Sequence, residues 1–216
     1  MTDVRDYVGE RAYGVQPESP DGITPSQTVG PFFAYVLTPH DYPTAVREIF
    51  SRDLATPDAA GERIRLEGYV LDGDGEPIVD ALLELWQPDG DGRFATAPAE
   101  PGRNAAFTGF GRSDVDSNGF YAFSTVKPGT VAGPGGAPQA PHINVGIFAR
   151  GVLRRLFTRV YFSDEGARNE ADPILALVPQ ERRTTLVATR KDRGDTPVYT
   201  FNIRLQGEGE TVFFAG

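Results

Sequence analysis

The sequence has no cysteine, only two histidines and one tryptophan. The missing cysteine excludes disulfides, thiolate metal sites and thiol nucleophiles, and it suits a reducing cytoplasm. No apolar run approaches the ~20 residues of a membrane-spanning helix. The first residues, Met1-Thr-Asp-Val-Arg-Asp-Tyr7, lack the apolar core of a secretory leader. Basic charge is also short, with 21 Lys and Arg against 30 Asp and Glu, for a net charge of -9. That balance argues against non-specific nucleic-acid binding. The one compact basic group, Arg150, Arg154, Arg155 and Arg159, reads as an interface or solvated face. A cytoplasmic protein with neither membrane nor nucleic-acid partner is expected.

What is present suffices for one core: 216 residues, of which 39% are hydrophobic. Residues 1–60 read as an arm. They carry Pro17, Pro20, Pro25, Pro31, Pro39, Pro43 and Pro57, which remove amide donors and oppose a sheet. One short helix is expected in the arm, from Thr44 as N-cap to Leu54, with Val46, Ile49, Phe50 and Leu54 at helical spacing. The cluster from Val29 to Tyr35 predicts that the arm packs on its own domain or on another chain. Residues 61–216 read as short strands: Ile64–Leu71, Ile78–Trp86, Phe107–Ser113, Phe120–Val126, His142–Phe148, Leu153–Phe162, Thr184–Thr189 and Val198–Leu205. Asp164–Ala171 reads as a short helix or turn. The fold expected is all-β: an antiparallel β-sandwich of about eight strands behind the arm.

The chemistry-bearing candidates are few. Gln139–Arg150 holds one of the two histidines, and His142, Asn144 and Gly146 alternate with Ile143, Val145 and Ile147. His142 and Asn144 thus share one face of a strand, where two imidazoles could share a metal. The second position is an amide, so the strand is either a metal site or the shape of one. Asp114-Val-Asp-Ser-Asn-Gly119 matches half of a calcium loop but has Thr125 at the twelfth position, so it reads as a hairpin turn. Asp72-Gly-Asp-Gly-Glu76 is likewise a turn. No Gly-x-Ser-x-Gly elbow serves a Ser-His-Asp triad, and no carboxylate pair is singled out. On these residues alone, a non-enzymatic β-sandwich binding module suits the chain as well as an enzyme.

Longer runs carry a resemblance. Leu66-Glu-Gly-Tyr-Val-Leu-Asp-Gly-Asp-Gly-Glu-Pro-Ile-Val-Asp-Ala-Leu-Leu-Glu-Leu-Trp-Gln-Pro88 is followed in order by Gly111-Arg-Ser-Asp114, Gly119-Phe-Tyr-Ala-Phe123, Lys127-Pro-Gly129 and Pro141-His-Ile143. Together they resemble the intradiol ring-cleaving dioxygenases. Thr24–Phe33 and Gln206–Phe214 resemble, in particular, a chain type of that family that does not ligate iron. The resemblance implies an oxidoreductase of aromatic catabolism, the β-ketoadipate pathway, in which protocatechuate and O2 give 3-carboxy-cis,cis-muconate.

It also implies which residues matter. The family's ferric ion, Fe(III), takes two tyrosinates and a His-x-His pair; here the matching positions are Phe94, Val131, His142 and Asn144. Phe and Val cannot ligate, so these read as vacated metal-site positions, and the iron is expected on a homologous β partner in a higher-order α/β oligomer. By the same resemblance Thr28, Gly30, Pro31 and Phe32 of the arm wall the partner's substrate pocket. Arg150 is expected to add positive charge there or to make a surface ion pair.

Overall fold

The computed structural model describes Gly30 and residues 50–55, 59–95 and 107–214. Most of the arm, including Thr28, Pro31, Phe32 and the start of the expected helix, lies outside them. The end of that helix is described, and it is extended rather than helical. Asp53 bridges Ser124 and Ala55 bridges Phe107, while Leu54 donates its amide to Ser124 O at 2.9 Å and is buried. Strand-like bonding to the domain displaces a helical spacing that local sequence alone suggested.

The body is mostly β. Strand β1 (Arg63–Leu71) alternates strictly, with Ile64, Leu66 and Val70 buried in the core. The other strands are β2 (Leu82–Trp86), β3 (Phe110–Asp114), β4 (Phe120–Val126), β5 (Val131–Ala132), β6 (Pro138–Gln139), β7 (His142–Phe148), β8 (Leu156–Phe162), β9 (Val187–Arg193), β10 (Thr196–Thr200) and β11 (Ile203–Arg204). A short helix, α1 (Gly166–Glu170), falls inside the expected Asp164–Ala171 segment.

The sheet departs from the expected antiparallel sandwich. Nine strands form one mixed sheet, with β4 on one edge of β1, then β10 with β11, β9, β8, β7, β2 and β3 in turn. β1 runs parallel to β10 and β11, and β8 runs parallel to β9. The end strands β3 and β4 are consecutive in the chain and lie against each other, so the sheet curls back almost into a barrel. The period-two pattern marks each strand's faces but carries no information on partner direction. The core runs through the curl, from Leu66 and Phe123 to Leu83, Ile143, Val160 and Tyr199. Gly68 is required where β1 passes the kink between β10 and β11: a Cβ there would lie 1.8 Å from Phe201 O.

The acidic turns recur as one device. In Asp72–Glu76, Asp89–Arg93 and Asp116–Phe120, the first Asp accepts the amides two and four residues on through Oδ1 at 2.7–3.0 Å. The glycine in fourth place takes φ of 88°, 81° and 72° respectively. These carboxylates are spent on backbone, as hairpin turns rather than a calcium loop.

Candidate functional site

β7 turns Ile143, Val145 and Ile147 into the core and presents His142, Asn144 and Gly146 on its other face. Strand register then selects their neighbours. Tyr161 stands opposite His142, and Arg159 opposite Asn144, on β8. Trp86 stands opposite Asn144 on β2. Trp86 stacks on Phe94, with ring centroids 4.5 Å apart and planes 25° from parallel.

Two loops complete the neighbourhood. Phe94 follows the Asp89–Arg93 turn, anchored by Gln87, whose Nε2 donates to Val126 O at 2.8 Å. A Cβ at Gly92 would lie 2.2 Å from Thr130 O, and Gly129 donates its amide to Asp89 O at 2.9 Å. The loops carrying Phe94 and Val131 are therefore bound to each other. Val131 pairs with Gln139, and Gln139 Oε1 accepts a 2.7 Å hydrogen bond from Arg159. The four positions that the resemblance marks as a former metal site thus share one neighbourhood at the start of β7.

The donors there are poor for a hard metal. His142 is 3% exposed, and its Nδ1 lies 2.8 Å from Ala140 O. A carbonyl only accepts, so Nδ1 carries the proton and Nε2 the lone pair. Burial, aided by the Arg159 charge, pulls the imidazole pKa down to about 4, so it is neutral at pH 7. Tyr161 donates its hydroxyl to Asp172 Oδ1 at 3.2 Å, and burial pushes its phenol well up. One neutral imidazole, an amide, a phenyl and an isopropyl group do not fit a ferric ion, which favours anionic oxygen donors with imidazole. A changed ligation through Tyr161 would require ionising a buried phenol already held by a carboxylate. Among the described residues no group of three or more His, Asp or Glu is arranged for a metal.

Other expected site residues lie apart. Arg150 follows the far end of β7, about 25 Å along the chain direction from His142 at ~3.3 Å per residue, and it forms an ion pair with Asp80. Arg155 of the same basic group pairs with Glu84 at 2.7 Å and lies over Phe157. Gly30 takes φ of 70° and is half-buried. Asp172 was not legible as a site residue, although Asp-Pro just ahead of the Leu175–Leu177 turn is an N-terminal capping pattern. Trp86 could have been found as the sole indole on a strand that alternates out of the core.

The family model described as Dioxygenase matches residues 30–207. The chain belongs to that dioxygenase family, in its intradiol ring-cleavage branch. Within the branch it is similar to the protocatechuate 3,4-dioxygenase alpha chain of Burkholderia cepacia, 50% identical over 194 residues that span 88% of this chain and 96% of that one. The protocatechuate 3,4-dioxygenase beta chain of the same organism is 34% identical over 164 residues, 70% of this chain and 67% of that one. Among solved structures, the dioxygenase domain of a carbohydrate-binding fusion from Streptomyces sp. SirexAA-E superposes with a TM-score of 0.57 at 26% identity, covering 85% of this chain and 98% of that domain.

Proposed function

We propose that this chain is the non-ligating subunit of an intradiol dioxygenase, assembled with a homologous partner that carries Fe(III), and that the assembly cleaves protocatechuate with O2 to 3-carboxy-cis,cis-muconate. The observation that carries the reading is the donor set on β7: it keeps the position of a metal site with one imidazole and no available phenolate. Likeness to an alpha chain over nearly the whole length, and to a beta chain at lower identity, supports a pair of related subunits. The iron supplies activation of the ring and oxygen in the partner. This chain's share is to shape the pocket with Thr28, Gly30, Pro31 and Phe32, a rigid Gly-Pro corner against which a flat ring can lie. Arg150 contributes positive potential near the entrance to the extent that Asp80 leaves it uncompensated.

Iron content and visible absorbance test the assignment. The purified chain should hold no stoichiometric iron and no tyrosinate colour, and should restore ring cleavage when mixed with the iron-bearing partner. A coloured, iron-replete chain alone would overturn it.

Gly30→Arg separates pocket wall from scaffold. A Cβ at Gly30 meets nothing within 4 Å in this chain, so the fold loses only the ~1–2 kcal/mol of a side chain at positive φ. Turnover of the mixed complex should fall roughly tenfold or more if the arm shapes the pocket. Thermal destabilisation that accounts for the whole activity loss would make the arm purely structural.

A further inference from the structure

We infer that the outer face at the start of β7 is itself a binding site on this chain for a hydroxylated aromatic carboxylate, used without a metal. Three polar groups there lack the partners that such groups normally have. Arg159 bonds to Gln139 Oε1 and lies over Phe214, yet forms no ion pair with a carboxylate among the described residues. The Asn144 side chain beside it makes no hydrogen bond among the described residues. His142 spends its Nδ1 proton on Ala140 O, which leaves the Nε2 lone pair open for an O–H donor.

Next to this polar set is an aromatic platform. Trp86 is half-exposed although it stacks on Phe94. Trp86 and Arg159 flank Asn144 on adjacent strands, which sets them about 10 Å apart at the usual strand spacing. That span fits one benzene ring bearing a carboxylate. The carboxylate meets the guanidinium in a charge-assisted pair, the ring lies along Asn144 beside the indole, and a ring hydroxyl donates to His142 Nε2. An uncompensated cation in a chain of net charge -9 also selects an anion over a neutral ring.

The contrast with the cavity of about 310 Å³ beside Lys127 is instructive. Its charged lining residues Glu62, Asp91, Lys127, Glu165 and Arg168 are all committed to ion pairs. The β7 face is where binding capacity is unspent. It lies on this chain and stands whether or not iron resides on a partner.

The test uses the full chain without partner, iron or oxygen, so its outcome is independent of reconstituted turnover. Trp86 is the sole tryptophan and therefore the reporter. Titration with 4-hydroxybenzoate should quench its fluorescence saturably, with a dissociation constant on the order of 0.1–1 mM. Catechol, which lacks the carboxylate, and cyclohexanecarboxylate, which lacks the ring, should bind at least tenfold more weakly. Arg159→Gln should weaken 4-hydroxybenzoate at least tenfold with an unchanged melt. If that variant unfolds, Asn144→Asp makes the same measurement by repelling the acid. Quenching without saturation, equal binding of catechol, or wild-type affinity in a folded variant would each overturn the site.

Discussion

Asp172→Ala will cost the fold about 3–5 kcal/mol in urea unfolding, the range for stripping the partner from buried polar groups. Asp172 is fully buried, and its carboxylate accepts the Ala140 amide at 2.8 Å, the Ile174 and Leu175 amides at 2.9 and 2.7 Å, and the Tyr161 hydroxyl at 3.2 Å. Alanine would leave all four donors dry, in a cluster where Tyr161, Leu175, Val178 and Leu186 exclude water. The damage should spread to the site, because the Ala140 peptide held by Asp172 also holds His142 Nδ1. Asp172→Asn should fall between the two, since one oxygen remains to accept the Ile174 and Leu175 amides. A loss below ~1 kcal/mol for the alanine variant would show that water replaces the carboxylate.

The second large effect is on acid stability. Burial, then the Arg159 charge, lowers the His142 pKa from 6.5 to about 4, while Asp172 nearby opposes the shift. Between those values the unfolded chain binds the extra proton and the folded chain does not, so stability rises with pH across that window. The contribution is complete above pH 6.5 and is lost as pH falls towards 4. Its size is roughly 3 kcal/mol, from ~1.4 kcal/mol per pKa unit. Urea midpoints between pH 4.5 and 7 should therefore climb in the wild type and flatten in His142→Asn, whose amide can replace the Nδ1 donor. An unchanged slope would place the transition elsewhere. Asp164 and Glu165 do not confuse the reading. Burial pushes both up, but hydrogen bonds from Lys127 outweigh it and leave them below their ordinary values. Their contribution is lost only at lower pH.

Much of the functional argument was legible locally. The alternation of His142–Phe148 predicted a strand with identical bounds, and Phe120–Val126 likewise. Ile78–Trp86 shortened to Leu82–Trp86, and Thr184–Thr189 split between a 3₁₀ turn and β9. In both cases the apolar content was right, but the first residues are taken up by a turn. Asp80 and Arg150 illustrate a different limit, since no local pattern predicts an ion pair across 70 residues.

The sequence by itself determined the faces of the strands, the Asp-led turns and the absence of phenolate donors at the family's ligand positions. Each depends on residue type and on spacing within a few residues, and each follows from side-chain chemistry and the pleat. Only the tertiary structure decided which strands are neighbours and in what direction. Leu66 meets Tyr199 in parallel register, and Asn144 is flanked by Trp86 and Arg159. Those pairings join segments far apart in the chain, selected by how the whole core closes, and they are what turn a strand with a lone histidine into a site.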